Sequence, residues 1–223
     1  MIIIDMNQIM ISNLMAQLKH DRLNEKLVRH MVLNSLRSYE KQYGEKYGEM
    51  VLAYDSKQYW RKQVFPYYKQ NRKKDRERSG HDWSSIFEVL NKIRDEIKEY
   101  FPYKVVEVLG AEADDVISTL CKNKGPKELI LILSGDKDFI QLHKYPGVYQ
   151  YNPITKKSLG YDNPHAFIKE HIIKGDKSDG IPNFLSPDDC FVKGERQRPI
   201  SQKNLAKWVD MEPSKFCANE TQL

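Results

Sequence analysis

Cysteine is scarce: Cys121, Cys190 and Cys217 are the only three, and they lie far apart. No CxxC pair occurs, which argues against a disulfide scaffold or a zinc ribbon and fits a reducing cytoplasm. Long apolar runs are missing too, since none approaches the roughly 20 residues of a membrane span. The opening Met1-Ile2-Ile3-Ile4-Asp5 lacks the basic segment and extended apolar stretch of a signal peptide. The six histidines form no HExxH or other close zinc pair; His143 and His171 are within reach of a site at the strand ends, but read first as surface or packing residues. GxSxG, GxGxxG and Walker A patterns are absent, which removes the nucleophile-elbow, dinucleotide and P-loop chemistries. Internal repeats and low-complexity segments are absent as well.

What is present is charge, unevenly placed. The 223-residue chain is 40% hydrophobic and 30% charged, with net charge +5. That supports one sizeable core with a small appended module. Residues 57–78 carry nine Lys and Arg against Asp75 and Glu77, a net +7, which leaves the remainder at about −2. A basic block beside a mildly acidic body points to a polyanion contact on one face; a solvated charged helix is the plainer alternative.

The pattern of elements alternates. Ile2–Asp5 reads as a short buried strand, residues 23–42 as a helix, and 49–56 as a second strand ending at Asp55. Asp82 is placed to cap a helix from Trp83 to about Tyr100, whose Ile86, Leu90, Ile93 and Ile97 form one stripe. Residues 103–110, 128–136 and 148–153 read as strands, and 111–122 and 164–174 as helices. Alternation with short loops predicts a doubly wound, mostly parallel α/β sheet. After Asn183 the periodicity fades into turns and one short helix.

In such a sheet, ligands gather beyond the carboxyl ends of the strands. Asp5 and Asp55 end strands, Glu112 and Asp114 open a helix, and Asp136 and Asp138 follow the run Leu129–Leu133 in "ILSGDKDF". Asp176 and Asp179 sit in "KGDKSDGIPN". Any one terminal Asp is ordinarily a helix cap or turn residue; eight carboxylates expected along one rim need another explanation. Hard oxygen ligands without a Cys/His cluster point to Mg²⁺ or Mn²⁺. Two such ions sharing a phosphate are an apparatus for phosphodiester hydrolysis.

"IIIDMNQ", "LAYDS", "GAEADD", "SGDKDF" and "KGDKSDGIPN", in this order, resemble the metal-dependent 5′ nucleases. That family takes in flap endonucleases, the 5′-exonuclease domains of bacterial DNA polymerases and ribonucleases H of the T-even-phage type, which this chain resembles. The resemblance covers roughly residues 1–200 and implies a PIN-like core over 1–180, with a basic arch at about 57–82. It implies a short, truncated helix–turn–helix clamp on duplex over 181–223. It assigns Asp5, Asp55, Asp114 and Asp136 to a first Mg²⁺, with Mn²⁺ as a substitute, and Asp138 and Asp179 to a second. Glu112 and Asp176 match acids that hold metal-bound waters, and Asp115 has no firm role. In "YWRKQVFPYYKQNRKK", Lys69 and Arg72 match residues that approach the scissile phosphate, Tyr68 a base-stacking position and Arg61 a basic residue at the arch root. Lys62, Tyr67, Lys73 and Lys74 complete the nucleic-acid contacts.

The activity implied is 5′→3′ exonuclease and flap endonuclease on DNA and RNA–DNA duplexes, removing primers or flaps during replication. The protein is expected to be monomeric and cytoplasmic, in the host cytoplasm if phage-encoded. A monovalent cation in the clamp turn and a single-strand-binding protein are further implied partners, although the short C-terminal stretch argues against a docking surface for the latter. Two alternatives compete with this reading. A haloacid-dehalogenase-type phosphatase needs a second Asp after the first strand, where this chain has Asp5-Met6-Asn7, and a PIN-type ribonuclease lacks both the arch and the GDKSDG turn. A non-catalytic branched-DNA-binding module would be marked by lost acids, and every one is present; a module left inactive by truncation at the clamp stays open as an alternative.

Overall fold

The computed structural model describes residues 1–220. The last three residues of the expected clamp segment lie outside the described residues. The chain forms two units. The first comprises Met1–Trp60 with Asp82–Tyr161; the second comprises Arg61–His81 with residues 162 onward.

The first unit is built on a six-stranded sheet: β1 (Ile2–Asp5), β2 (Met50–Tyr54), β3 (Lys104–Glu107), β4 (Ile130–Leu133), β5 (Val148–Asn152) and β6 (Lys157–Leu159), in the order β3-β2-β1-β4-β5-β6. The first five strands are parallel and β6 is antiparallel to β5. Strand side chains alternate between two cores, as the two-residue period requires. Ile2, Ile4, Met50, Leu52, Leu131 and Leu133 pack on α1 (Met6–Leu18), α2 (Glu25–Tyr47) and α5 (Trp83–Tyr100). Ile3, Ala53, Ile130 and Ile132 face α6 (Ala113–Lys122) and the 3₁₀ helix Lys137–Lys144. Burial on both faces makes the strands continuous apolar runs, and each fully buried Ile or Leu contributes about 1.5–3 kcal/mol.

Helix α1 occupies a stretch for which the sequence pattern gives no element. Its buried Met6, Ile9, Met10 and Leu14 do follow helical spacing. The strands expected at 103–110 and 128–136 are shorter, at Lys104–Glu107 and Ile130–Leu133, because their ends turn into loops that carry the acids. The sheet order reverses between β1 and β4, which makes their carboxyl ends the topological switch point.

The second unit contains α3 (Arg61–Val64), α4 (Asn71–Arg78), α7 (Pro164–Lys174), α8 (Cys190–Lys193), α9 (Gln202–Asp210) and α10 (Pro213–Glu220). The expectation of one short helix after residue 184 is corrected, since three occur there. Their small core is Ile173, Leu205 and Trp208, with Phe184 and Phe216 packed edge-on to the indole and to each other. No helix among the described residues is long and apolar enough to cross a membrane.

Candidate active site

The register of the sheet determines which acids meet. Ile4 pairs with Leu133 and Asp5 with Ala53, so Asp5 lies level with Ser134 on one side and two residues short of Asp55 on the other. Asp5 caps α1, accepting from the Gln8 amide at 3.1 Å, and its other oxygen accepts from the Ser134 hydroxyl at 3.1 Å. It is 8% exposed. Burial raises its pKa from 3.8 to about 6, and the negative charges of Asp55 and Asp136 add to the rise. Asp55 and Asp136 are therefore near enough to Asp5 for their charges to act on it. Folding has gathered charge where desolvation penalises it, a pattern expected of a functional site.

Each neighbour is held from below. Asp55 accepts from the Ala113 amide at 2.7 Å, which ties the end of β2 to the start of α6. Glu112, 1% exposed, is the cap of α6, and its amide donates to Asp115 at 2.9 Å. The Asp115 carboxylate also accepts from the Trp60 indole at 3.3 Å. Asp115 therefore acts in holding the helix start. Asp114 is half-buried in the first turn of α6, where the dipole favours a carboxylate.

Asp136 caps the 3₁₀ helix through the Asp138 amide at 2.9 Å, and its own amide donates to the Ser134 hydroxyl at 3.1 Å. A Cβ on Gly135 would collide with the Asn152 side chain, whose oxygen is tied to the Ile154 and Thr155 amides. The Gly135 amide donates to Gln8 Oε1 at 2.6 Å. The buried Gln150 side chain donates to the carbonyls of Ser134 (2.9 Å) and Asp136 (2.6 Å). Ser134, Gln8 and Gln150 went unnoticed in the sequence. The signal for Gln150 was present, as a polar residue at an inward position of a strand, between Val148 and the chain's turn at Asn152.

The second unit holds Asp176 and Asp179 in a tight turn. Asp176 accepts from the Ser178 amide and hydroxyl, both at 2.7 Å, and from the Asp179 amide at 3.3 Å. His171 Nε2 lies 3.6 Å away, and this partner, with the Ser178 bonds, holds the Asp176 carboxyl well below its usual range. His171 thus stands against an acid of the predicted site and also stacks on Phe167. Gly175 has φ +68 and no room for a Cβ against Pro182.

The base of the arch closes on this turn. Asp179 accepts from Arg72 Nη2 at 2.6 Å and from the Tyr68 hydroxyl at 2.7 Å, with Lys69 Nζ at 3.8 Å. The Lys69 amide donates to the Asp179 carbonyl at 2.7 Å, and Lys69 takes a positive φ of 57° to do so. Tyr68, matched to a base-stacking position, is 3% exposed, and its ring is packed away in this conformation. Tyr67 is half-buried against Phe65, and Arg61 is half-buried. Lys62, Lys73 and Lys74 are exposed, with Lys74 donating to the Val192 carbonyl at 2.9 Å.

A sequence profile described as the 5′-3′ exonuclease N-terminal resolvase-like domain matches residues 1–171. The chain belongs to the 5′-3′ exonuclease family. Within that family, ribonuclease H of Enterobacteria phage T4 is 39% identical over 234 aligned residues, taking in 99% of this chain and 76% of the relative. The 5′-3′ exonuclease of Buchnera aphidicola (from Acyrthosiphon pisum) is 32% identical over 60% of this chain and 47% of its own. Among solved structures, the phage T5 5′-exonuclease with divalent zinc bound superimposes with a TM-score of 0.68 at 16% identity, over 94% of this chain and 83% of that one. A phage T5 flap endonuclease complex with DNA and metal ions gives 0.67 at 19%, over 92% and 82%. These structures establish the shared α/β fold. Exonuclease-family membership makes the chain a phosphodiester hydrolase, and the family's structural neighbours bind divalent metal ions.

Proposed function

We propose that the chain is a structure-specific nuclease that removes 5′ ends, flaps or primers from DNA and RNA–DNA duplexes, with Mg²⁺ as its natural metal. The observation that supports this reading is the Asp5 carboxyl at the end of β1, held up to about 6 first by burial and then by the charges of Asp55, after β2, and Asp136, after β4. The donor set fits hard divalent ions: carboxylate oxygens are in excess, with no thiolate among the proposed donors, and the His171 imidazole stands beside Asp176. When bound, such ions would supply a nucleophilic hydroxide at neutral pH and neutralise charge on the phosphate.

In this proposal Asp5, Asp55, Asp114 and Asp136 would hold the first ion, and Asp138 and Asp179 would serve the second. Glu112 and Asp176 would orient waters. Asp5 and Asp136 are fixed by Ser134, and Gln150 and Gln8 hold the loop backbone, so no reorganisation is needed when substrate arrives. In the second unit, Lys69 and Arg72 are cations already facing an anion, Asp179. A substrate phosphate offers the same charge and competes for them, so these residues would position the reacting strand. Arg61, Lys62, Lys73 and Lys74 neutralise backbone phosphate without reading sequence.

The arch at about 57–82 and the helices after residue 180 are proposed as the strand-handling and duplex-holding parts. The protein is proposed to act as a monomer, in the compartment where replication takes place. The test is product analysis on a nicked duplex and a 5′ flap labelled at either end of one strand. Short labelled fragments from the 5′ label, appearing only with Mg²⁺ or Mn²⁺, are the expected result. Release from the 3′ label first, or equal cleavage in EDTA, would overturn the reading.

A further inference from the structure

We infer that Val108 and Leu109, with Trp60 beside them, form an apolar seat for the 5′-terminal nucleobase of the strand being cut. This rests on the nuclease reading and adds a means of recognising ends. Among the described residues Leu109 is the most exposed large hydrophobic side chain, at 89%, and Val108 is 48% exposed and Trp60 47%. Exposed apolar residues are commonplace on mobile tips, but this loop is fastened. The Ala111 amide donates to the Val108 carbonyl at 3.0 Å, and the Gly110 amide to the Ser56 hydroxyl at 3.3 Å. The Trp60 amide donates to the Gly110 carbonyl at 3.0 Å, and the Ser56 amide to the Ala111 carbonyl at 3.0 Å. Gly110, at φ +84, makes the turn that no other residue makes without strain. The Trp60 indole is steered by its bond to Asp115.

The position is what links this loop to substrate. Tyr54 pairs with Glu107, so one residue further along, Val108 lies level with Asp55. Glu112 and Asp114 follow within six residues. The apolar loop thus borders the β3 side of the acid rim that would hold the reacting phosphate. DNA presents phosphates, sugar edges and base faces, and only the faces are apolar. In a continuous duplex they are stacked and hidden. At a 5′ end, nick or unpaired base one face is open. An apolar seat beside the phosphate site therefore favours ends over interior positions, independent of sequence, because every base has a face.

The test is a double-perturbation cycle. The Val108→Ser/Leu109→Ser variant changes two exposed positions outside both cores. It is compared with the wild type on a nicked duplex carrying 2-aminopurine at the 5′ terminus, and on the same duplex with an abasic residue there. Binding is read in EDTA, so it requires no cleavage; single-turnover rates follow in Mg²⁺. On the intact end the variant should bind about 5- to 10-fold more weakly and lose the aminopurine fluorescence change, with its saturated rate within about 2-fold of wild type. On the abasic end the two proteins should bind alike. Equal weakening on both substrates, or no weakening on either, overturns the seat. Failure of the wild type to cleave would count against the nuclease reading, while the binding cycle still decides the seat.

Discussion

Asp5→Asn should abolish activity and at the same time make the protein more stable. The Asp5 carboxyl is 8% exposed, and its pKa stands at about 6 against 3.8. At neutral pH the folded protein thus holds an ionised group that its environment disfavours. A rise of about 2 in pKa corresponds to about 2–3 kcal/mol. Asparagine keeps the shape: its oxygen can accept from the Gln8 amide, and its nitrogen can donate to the Ser134 hydroxyl. The gain should have a specific pH course. Below about pH 3 the group is protonated in both folded and unfolded chains, and wild type and variant should be equally stable. Between about 4 and 6 the unfolded chain releases its proton first, so wild-type stability falls as pH rises. Above 6 the full difference remains.

For a chain of this size 2–3 kcal/mol is a Tm increase of roughly 4–12 °C. The assay is thermal or urea unfolding in EDTA at pH 4 and pH 7.5. Adding Mg²⁺ should then stabilise the wild type and have much less effect on the variant. A variant less stable than wild type at pH 7.5 without metal, or a gain that is the same at both pH values, would refute the claim that burial, with the neighbouring like charges, disfavours the ionised carboxyl at this site.

Gly135→Ala should lower both stability and cleavage, since its Cβ would collide with the Asn152 side chain beside the loop that places Asp136; the cost is about 1–3 kcal/mol by urea unfolding. Lys69→Ala should reduce the single-turnover rate more than affinity, because a cation beside the reacting phosphate matters most as charge develops. Lys73→Ala with Lys74→Ala should instead weaken binding and flatten its salt dependence, with the slope of log K against log salt falling by about 1–2. Asp179→Asn should loosen Arg72, whose guanidinium now lies 2.6 Å from that carboxylate, and a limited protease should cut the arch faster.

The acids were legible because of how a buried parallel strand ends. An apolar run such as ILIL stops where the chain turns, and a carboxylate at each such stop is visible without any contact map. Helix α5 was legible from Asp82 and from its stripe Ile86, Leu90, Ile93 and Ile97, all of which are buried. Helix α1 was not, since its polar residues Asn7, Gln8, Ser12, Asn13 and Gln17 are all uncharged and interleave with Ile11 and Met15, so its two faces differ little in polarity. Strand β6 is three residues long, polar and antiparallel, and carries no pattern of its own. The helices after residue 184 depend on Phe184, Trp208 and Phe216 meeting across more than 30 residues, which no local window contains. The arch residues were identified by type, but the embrace of Asp179 by Tyr68 and Arg72 is a tertiary fact.

The central claim is that the strand-end carboxylates hold the metal that makes phosphodiester hydrolysis possible. The most direct measurement is the single-turnover cleavage rate of Asp136→Asn on a 5′ flap in Mg²⁺, beside its affinity for the same DNA. Asparagine preserves the cap on the Asp138 amide, so the loop should stay in place. The account predicts a rate lower by at least about 100-fold with affinity within about 3-fold of wild type. Cleavage at close to the wild-type rate would contradict it.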